Sequence, residues 1–224
     1  MRITDITGEI RDGMSGLPFP FPEFHLAEVP QPEWVDGKVY CEIFEGLHSQ
    51  TGTYIETPAH FYGNDNCYLM NDVPLEKLVN VPVTILTLEP TQFEHGGRTP
   101  ITLDMISSAK GADKLREGDA LLINTGFDIH WMESDYIERS PFITNEAMKW
   151  IISKKPSILG SDFPRWENLE KPEGIFPIFY EADILMLAPV TNLRNVQSER
   201  AALTVLPLKI PGTSCIPCRA IVVE

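Results

Sequence analysis

Positive charge is in short supply. Lysine and arginine number 18 against 32 aspartates and glutamates, which leaves a formal net charge of −14 over 224 residues. Nucleic acids and anionic membranes are held by basic patches, so neither is an expected partner. No apolar run approaches the roughly 20 residues that span a bilayer. The N-terminus, Met1-Arg-Ile-Thr-Asp5, has no basic stretch leading into an apolar one, so no signal peptide is expected and the cytoplasm is the expected location. Cysteine is sparse as well. Cys41, Cys67, Cys215 and Cys218 are too few for a disulfide scaffold in a chain of this length. Cys215-Ile-Pro-Cys218 has the spacing of a redox pair or of half a zinc site, but no second ligand pair accompanies it. Two small apolar side chains in a turn is the plainer reading. A Gly-rich phosphate loop and a Gly-x-Ser-x-Gly elbow are both missing, and so are internal repeats and linkers.

One stretch carries most of the chemistry that is present: Gln50-Thr-Gly-Thr-Tyr54-Ile-Glu56-Thr-Pro-Ala-His60-Phe61. Glu56 and His60, two side chains that titrate or ligate, stand four residues apart. Gly52 permits a positive φ and a close approach by another group. Pro58 fixes its own φ and presses Thr57 into an extended conformation. Glu56 is therefore expected at a strand end, with His60 just beyond it in a turn.

Around this stretch the pattern alternates strands with a few helices. Residues 1–10, 38–44, 81–88, 118–124, 157–161, 184–187, 203–210 and 219–223 read as strands. Thr102 and Thr144 read as helix N-caps, each followed by an acidic residue in the first turn, and 172–183 has a weak helical pattern. Residues 16–24 hold Pro18, Pro20 and Pro22, which exclude a helix or an inner strand, so this is an extended arm bearing Phe19, Phe21 and Phe24. The arm either folds onto its own domain or lies on a neighbouring subunit. The expected architecture is α/β, one domain over 1–224 with a mixed sheet, not a doubly wound layout.

The stretch resembles the signature His-x-Gly-Thr-His-x-Asp-x-Pro-x-His of the cyclase family, which includes bacterial kynurenine formamidase and isatin hydrolase. Gly52, Thr53, Pro58 and His60 match it, while Gln50, Tyr54 and Glu56 stand at its first His, second His and Asp. The resemblance continues along most of the chain. Thr125-Gly126-Phe127, Gly160-Ser-Asp162-Phe-Pro164, Thr191-Asn192-Leu193 and Leu206-Pro-Leu-Lys-Ile-Pro-Gly212 resemble further family elements in order and spacing. It implies a swivelling β/β/α fold, a homodimer or homotetramer, and hydrolysis of an amide or cyclic amide by metal-bound water. It also implies a divalent metal, often zinc, held by the first two His and the Asp of the signature with a His and a Glu from the region of residues 176–188. Residues 174–180 of this chain contain no His, and Ala188 stands where the Glu would be. Of those five positions only Glu56 keeps a carboxylate.

A catalytic zinc site needs three protein ligands. Glu56 and His60 are two, so no cofactor and no tightly bound zinc is expected, though a weakly bound divalent metal remains compatible with such a set. His48/Glu56/His60 is one substitute triad, and a Cys such as Cys67 or the carboxylate of Asp162 is another source of a third ligand. Without metal, Glu56 and His60 are the expected catalytic acid–base pair. Gln50, Tyr54 and Thr53 would bind substrate as polar contacts, with Phe19, Phe21, Phe61 and Trp166 as an apolar lining. Hydrolysis, dehydration, isomerisation and ring closure all stay open, as does a non-catalytic relative that binds a small molecule or is structural. Asp162 and Arg165 read either as a second polar cluster or as a surface ion pair.

Overall fold

The computed structural model describes residues 1–14, 20–93 and 98–224. In chain order the strands are β1 (Ile3–Asp5), β2 (His25–Glu28), β3 (Glu42–Glu45), β4 (Tyr54–Glu56), β5 (Val81–Thr87), β6 (Pro100–Ile101), β7 (Ala120–Asn124), β8 (Phe142–Ile143), β9 (Ile158–Ser161), β10 (Leu185–Ala188), β11 (Arg200–Pro207) and β12 (Cys215–Val223). The α-helices are α1 (Ala59–Tyr62), α2 (Leu103–Ser107), α3 (Asn145–Ser153) and α4 (Ile175–Glu181).

The middle of the main sheet is parallel: β5, β7, β9 and β10 lie side by side. Such strands are covered on both faces, and their near-continuous apolar sequences follow from that. The flanks are antiparallel. β11 pairs with β5, and β12 with β11. The other edge of β12 is divided, its start pairing with β4 and its end with β1. Since β4 also pairs with β10, the sheet closes into a barrel-like arrangement. The fold is thus a single α/β domain with a mixed sheet.

Alternation along each strand builds two cores. Val83, Ile85, Leu122, Leu187, Leu203 and Ile216 pack together inside the closed sheet. Leu86, Leu121, Ile123, Leu159 and Met186 face outward and pack beneath Ile106, Met148, Ile151 and Phe179 of the helices. Thr102 and Thr144 cap α2 and α3, each hydroxyl accepting from the amide three residues on, Met105 N and Ala147 N at 3.4 Å.

Several boundaries differ from the sequence pattern. β1 is shorter than the expected 1–10, pairing only over Ile3–Asp5, and β3 starts later than the expected 38–44 and ends one residue beyond it, because pairing with β2 covers only Glu42–Glu45. β2, which hairpins onto β3, has no clear signature in the sequence. β12 begins at Cys215, so Cys215 and Cys218 lie within a strand and not in a turn. Three residues apart on a strand, they point to opposite faces. The arm at 16–24 falls partly outside the described residues, Phe19 included. Its far end folds onto its own chain: Phe24 is buried, with its amide donating to Met14 O at 3.1 Å.

Gly52 sits where the entry to β4 passes Ile10. Its φ is +68°, and a Cβ there would lie 2.7 Å from Ile10 Cγ1. Gly52→Ala is expected to cost more than about 1 kcal/mol of stability, since both backbone and neighbour must shift. Equilibrium urea denaturation of the two proteins measures it.

Candidate active site

Period-two alternation in β4 sends Ile55 into the barrel core and sends Tyr54 and Glu56 toward the helical layer. The neighbours of these two side chains are fixed by register. On the β10 side Ala188 stands opposite Tyr54 and Met186 opposite Glu56. On the β12 side Pro217 stands opposite Tyr54 and Cys215 opposite Glu56.

Pro58 opens the single turn of α1, so His60 follows Glu56 on a helix and not in a turn as the sequence suggested. The His60 imidazole Nε2 is 3.7 Å from Glu56 Oε2. From α4 the Tyr180 hydroxyl donates to Glu56 Oε1. Oε2 is buried and accepts no hydrogen bond. The Cys215 thiol lies against the same carboxyl and donates to Ser49 O at 3.3 Å.

α4 is itself held by a carboxylate. Glu167 accepts from the amides of Glu173 at 2.9 Å and of Gly174 and Ile175 at 3.0 Å, at the end of the helix where N–H groups lack partners. This anchors Phe176 and Tyr180. The Phe176 and Tyr180 rings stack with centroids 6.0 Å apart, and Phe61 stacks on Tyr180 at 5.2 Å. These rings, Trp166 and Arg165 wall an open cavity of about 310 Å³ that also takes in Gln50, Tyr54, Glu56 and His60.

Burial governs the electrostatics. It pushes the Glu56 carboxyl up, opposed by His60, Tyr180 and Cys215. It pushes the Tyr54 and Tyr180 phenols and the Cys215 thiol well above their ordinary values, and the neighbouring Glu56 charge adds to this. The phenols are therefore neutral hydrogen-bond groups, and Gln50 beside Tyr54 opposes the rise at that phenol.

Gln50, Tyr54, Glu56, His60, Phe61 and Trp166 thus come together. Thr53 does not join them: its buried hydroxyl donates to Pro189 O at 2.6 Å and accepts from Gly8 N at 2.7 Å, which ties β4 to its surroundings. Phe21 packs at a tilt against His48, ring centroids 4.4 Å apart, and is not among the residues lining the cavity. His48 accepts from Gln50 N through Nδ1 at 3.2 Å and is not in the donor cluster around Glu56. Asp162 forms no surface ion pair with Arg165. It is fully buried and accepts from Thr125 N, Thr125 Oγ1 and Gly126 N at 2.7–3.1 Å, holding the turn after β7. The residues that the sequence did not single out are Tyr180, Phe176, Glu167 and Met186, with Cys215 noted there only for its spacing. No local motif marks them, since strand register and helix packing bring them in.

The divalent metal implied by the family resemblance does not fit the residues at its positions. Ala188 offers no donor, the Tyr54 phenol is neutral and buried opposite it, and Gln50 is an uncharged amide. Only Glu56 supplies an anionic oxygen there.

Comparison with known proteins agrees with the fold. The Cyclase family model matches residues 4–168. No functionally curated protein matches the sequence. An isatin hydrolase bound to the product analogue thioisatinate superposes with a TM-score of 0.82 at 19% identity, covering 99% of this chain and 92% of that one. Isatin hydrolase A from Ralstonia solanacearum gives 0.80 at 19% identity, covering 100% and 92%. A potential metal-dependent hydrolase with cyclase activity gives 0.75 at 21% identity, covering 100% and 98%.

The raised carboxyl sets a pH dependence. The folded chain holds the Glu56 proton to higher pH than the unfolded chain does. This group's contribution to stability is therefore present below its ordinary value of 4.5 and is lost as pH rises through the folded value. Glu56→Gln is expected to remove that component, so its stability falls less with rising pH than the wild type's. Urea denaturation at a series of pH values above 4.5 reads the difference.

Proposed function

Since this chain belongs to the Cyclase family, with a matching fold over its whole length, we propose that it is a hydrolase opening an amide, cyclic amide or ester bond in a small aromatic or apolar substrate, by acid–base catalysis without a catalytic metal. The observation that carries this reading is the Glu56–His60 pair at 3.7 Å, buried at one end and open to an aromatic-walled cavity at the other. A flat ring can pack against this aromatic wall, where such contacts favour offset or edge arrangements.

In the proposed reaction, ionised Glu56 takes a proton from water as the water oxygen bonds to the carbonyl carbon. The carbonyl π pair moves onto oxygen, and Gln50 and Tyr54 donate hydrogen bonds to that oxyanion. As the C–N or C–O bond breaks, His60 gives the proton on its Nε2 to the leaving atom, and proton exchange with Glu56 and solvent restores the pair. Tyr180 holds the carboxyl in place through Oε1 and leaves Oε2 for the chemistry.

The same reading includes self-association. Leu26, Ile43, Phe44, Leu206, Leu208 and Ile210 are large apolar side chains half exposed on the β2–β3 hairpin and the β11 end. Several of them line a groove of about 430 Å³ with Phe24. Contiguous apolar surface of this kind marks interaction sites, and homo-oligomers are the common outcome. Among the described residues no helix is long and apolar enough to cross a membrane.

His60→Ala is expected to lower turnover by ~10²–10⁴ on a substrate found by screening formyl-anilides, cyclic imides and lactones. A variant as active as wild type would remove His60 from the reaction. Sedimentation at micromolar concentration is expected to give at least twice the chain mass of 25.2 kDa. A monomer would rule out self-association through the apolar face.

A further inference from the structure

Cys215 enters the site from the edge opposite to Ala188. Strand β4 lies between β10 and β12, so Ala188 and the Cys215 thiol come to β4 from opposite edges, and the thiol adds a donor that the family resemblance does not imply. On the Cys215 side three strong donors converge. One ligand atom each from Glu56, His60 and Cys215 lies within 4.8 Å of the other two. The carboxylate oxygen turned toward His60 has no hydrogen-bond partner, on a side chain only 2% exposed. A buried polar atom without a partner costs free energy, and an ion between these groups would satisfy it.

We propose that Glu56, His60 and Cys215 form a binding site for a thiophilic divalent cation, with zinc the fitting ion, and that the bound ion silences the acid–base pair. Thiolate, imidazole and carboxylate together are a donor set that selects zinc over magnesium or calcium. Zinc bonds of roughly 2.0–2.3 Å require the three atoms to close by on the order of 1 Å. His60 can supply that movement, because its side chain is 37% exposed while Glu56 and Cys215 are fixed in strands. Glu56 and His60 also line the cavity, from which water can supply a fourth ligand. Binding forms three metal–ligand bonds and releases the thiol proton, and any proton on the carboxyl, to solvent. No bond to carbon changes and no oxidant or reductant is needed. Inhibition, the second half of the inference, rests on the acid–base reading above, because the ion takes the lone pairs of Glu56 and His60 that proton transfer uses. Binding itself does not rest on it.

The test separates the two. Reduced, chelator-treated wild-type protein is titrated with cobalt(II) as a spectroscopic probe. One equivalent is expected to give a near-ultraviolet thiolate-to-cobalt charge-transfer band with the visible bands of a four-coordinate ion, and zinc is expected to displace both. Cys215→Ser is expected to lose the charge-transfer band and to weaken zinc binding by more than ~10-fold, whereas Cys67→Ser keeps the band. X-ray absorption at the zinc edge of the wild type with one equivalent of zinc needs no variant. A single sulfur at about 2.3 Å among nitrogen and oxygen scatterers is expected. No cobalt band, a band that survives Cys215→Ser, or a zinc shell with no sulfur would overturn the site. With a substrate in hand, zinc is expected to inhibit and chelation to restore turnover. Zinc that raises turnover would overturn the silencing and the metal-free reaction while leaving the site standing.

Discussion

Burying the Glu56 carboxyl is costly, because an ionisable group loses its water and must find other partners. The partners come from three separate parts of the chain. Tyr180 arrives on α4, His60 on α1 and Cys215 on β12. Each in turn depends on another support. Glu167 ties down the start of α4, Pro58 begins α1, and the pairing of β12 with β11 and β4 holds Cys215. The one carboxyl thus sets demands that the helical layer and the barrel closure meet together.

Strand register also decides which donors the cavity offers. Positions 54 and 188 face each other across neighbouring strands, and here a large ring meets a methyl group. Exchanging volume across such a pair preserves packing while changing the available donors, since cores respond to total volume more than to identity. The cavity is in consequence lined by phenols and other aromatic rings.

Much of this was legible in the sequence, for reasons tied to range. The central strands appear as uninterrupted apolar runs because both faces are covered, and Thr102 and Thr144 declare their helices through local hydrogen bonds. Glu56 and His60 are visible because four residues of chain, with a Pro between them, confine their separation. Tyr180 and Cys215 are 124 and 159 positions from Glu56, and no local pattern encodes a contact across that distance. The same limit explains Thr53. Its place in the motif suggested substrate, whereas the distant Gly8 and Pro189 claim its hydroxyl. Asp162 reads either as part of a second polar cluster or as a surface charge, whereas the distant turn at Thr125 and Gly126 closes over it.

The divided edge of β12 bears on the order of assembly. β4 has only three residues, and its two partner strands are contributed by segments that follow it by well over a hundred residues. Closing so long a stretch of chain carries an entropic cost that must be met before these pairings form, and contacts of high sequence separation form slowly. During synthesis the parallel strands β5, β7 and β9 can associate while β4 still lacks both neighbours. The pocket floor therefore acquires its shape only after β10 and β12 have both joined β4.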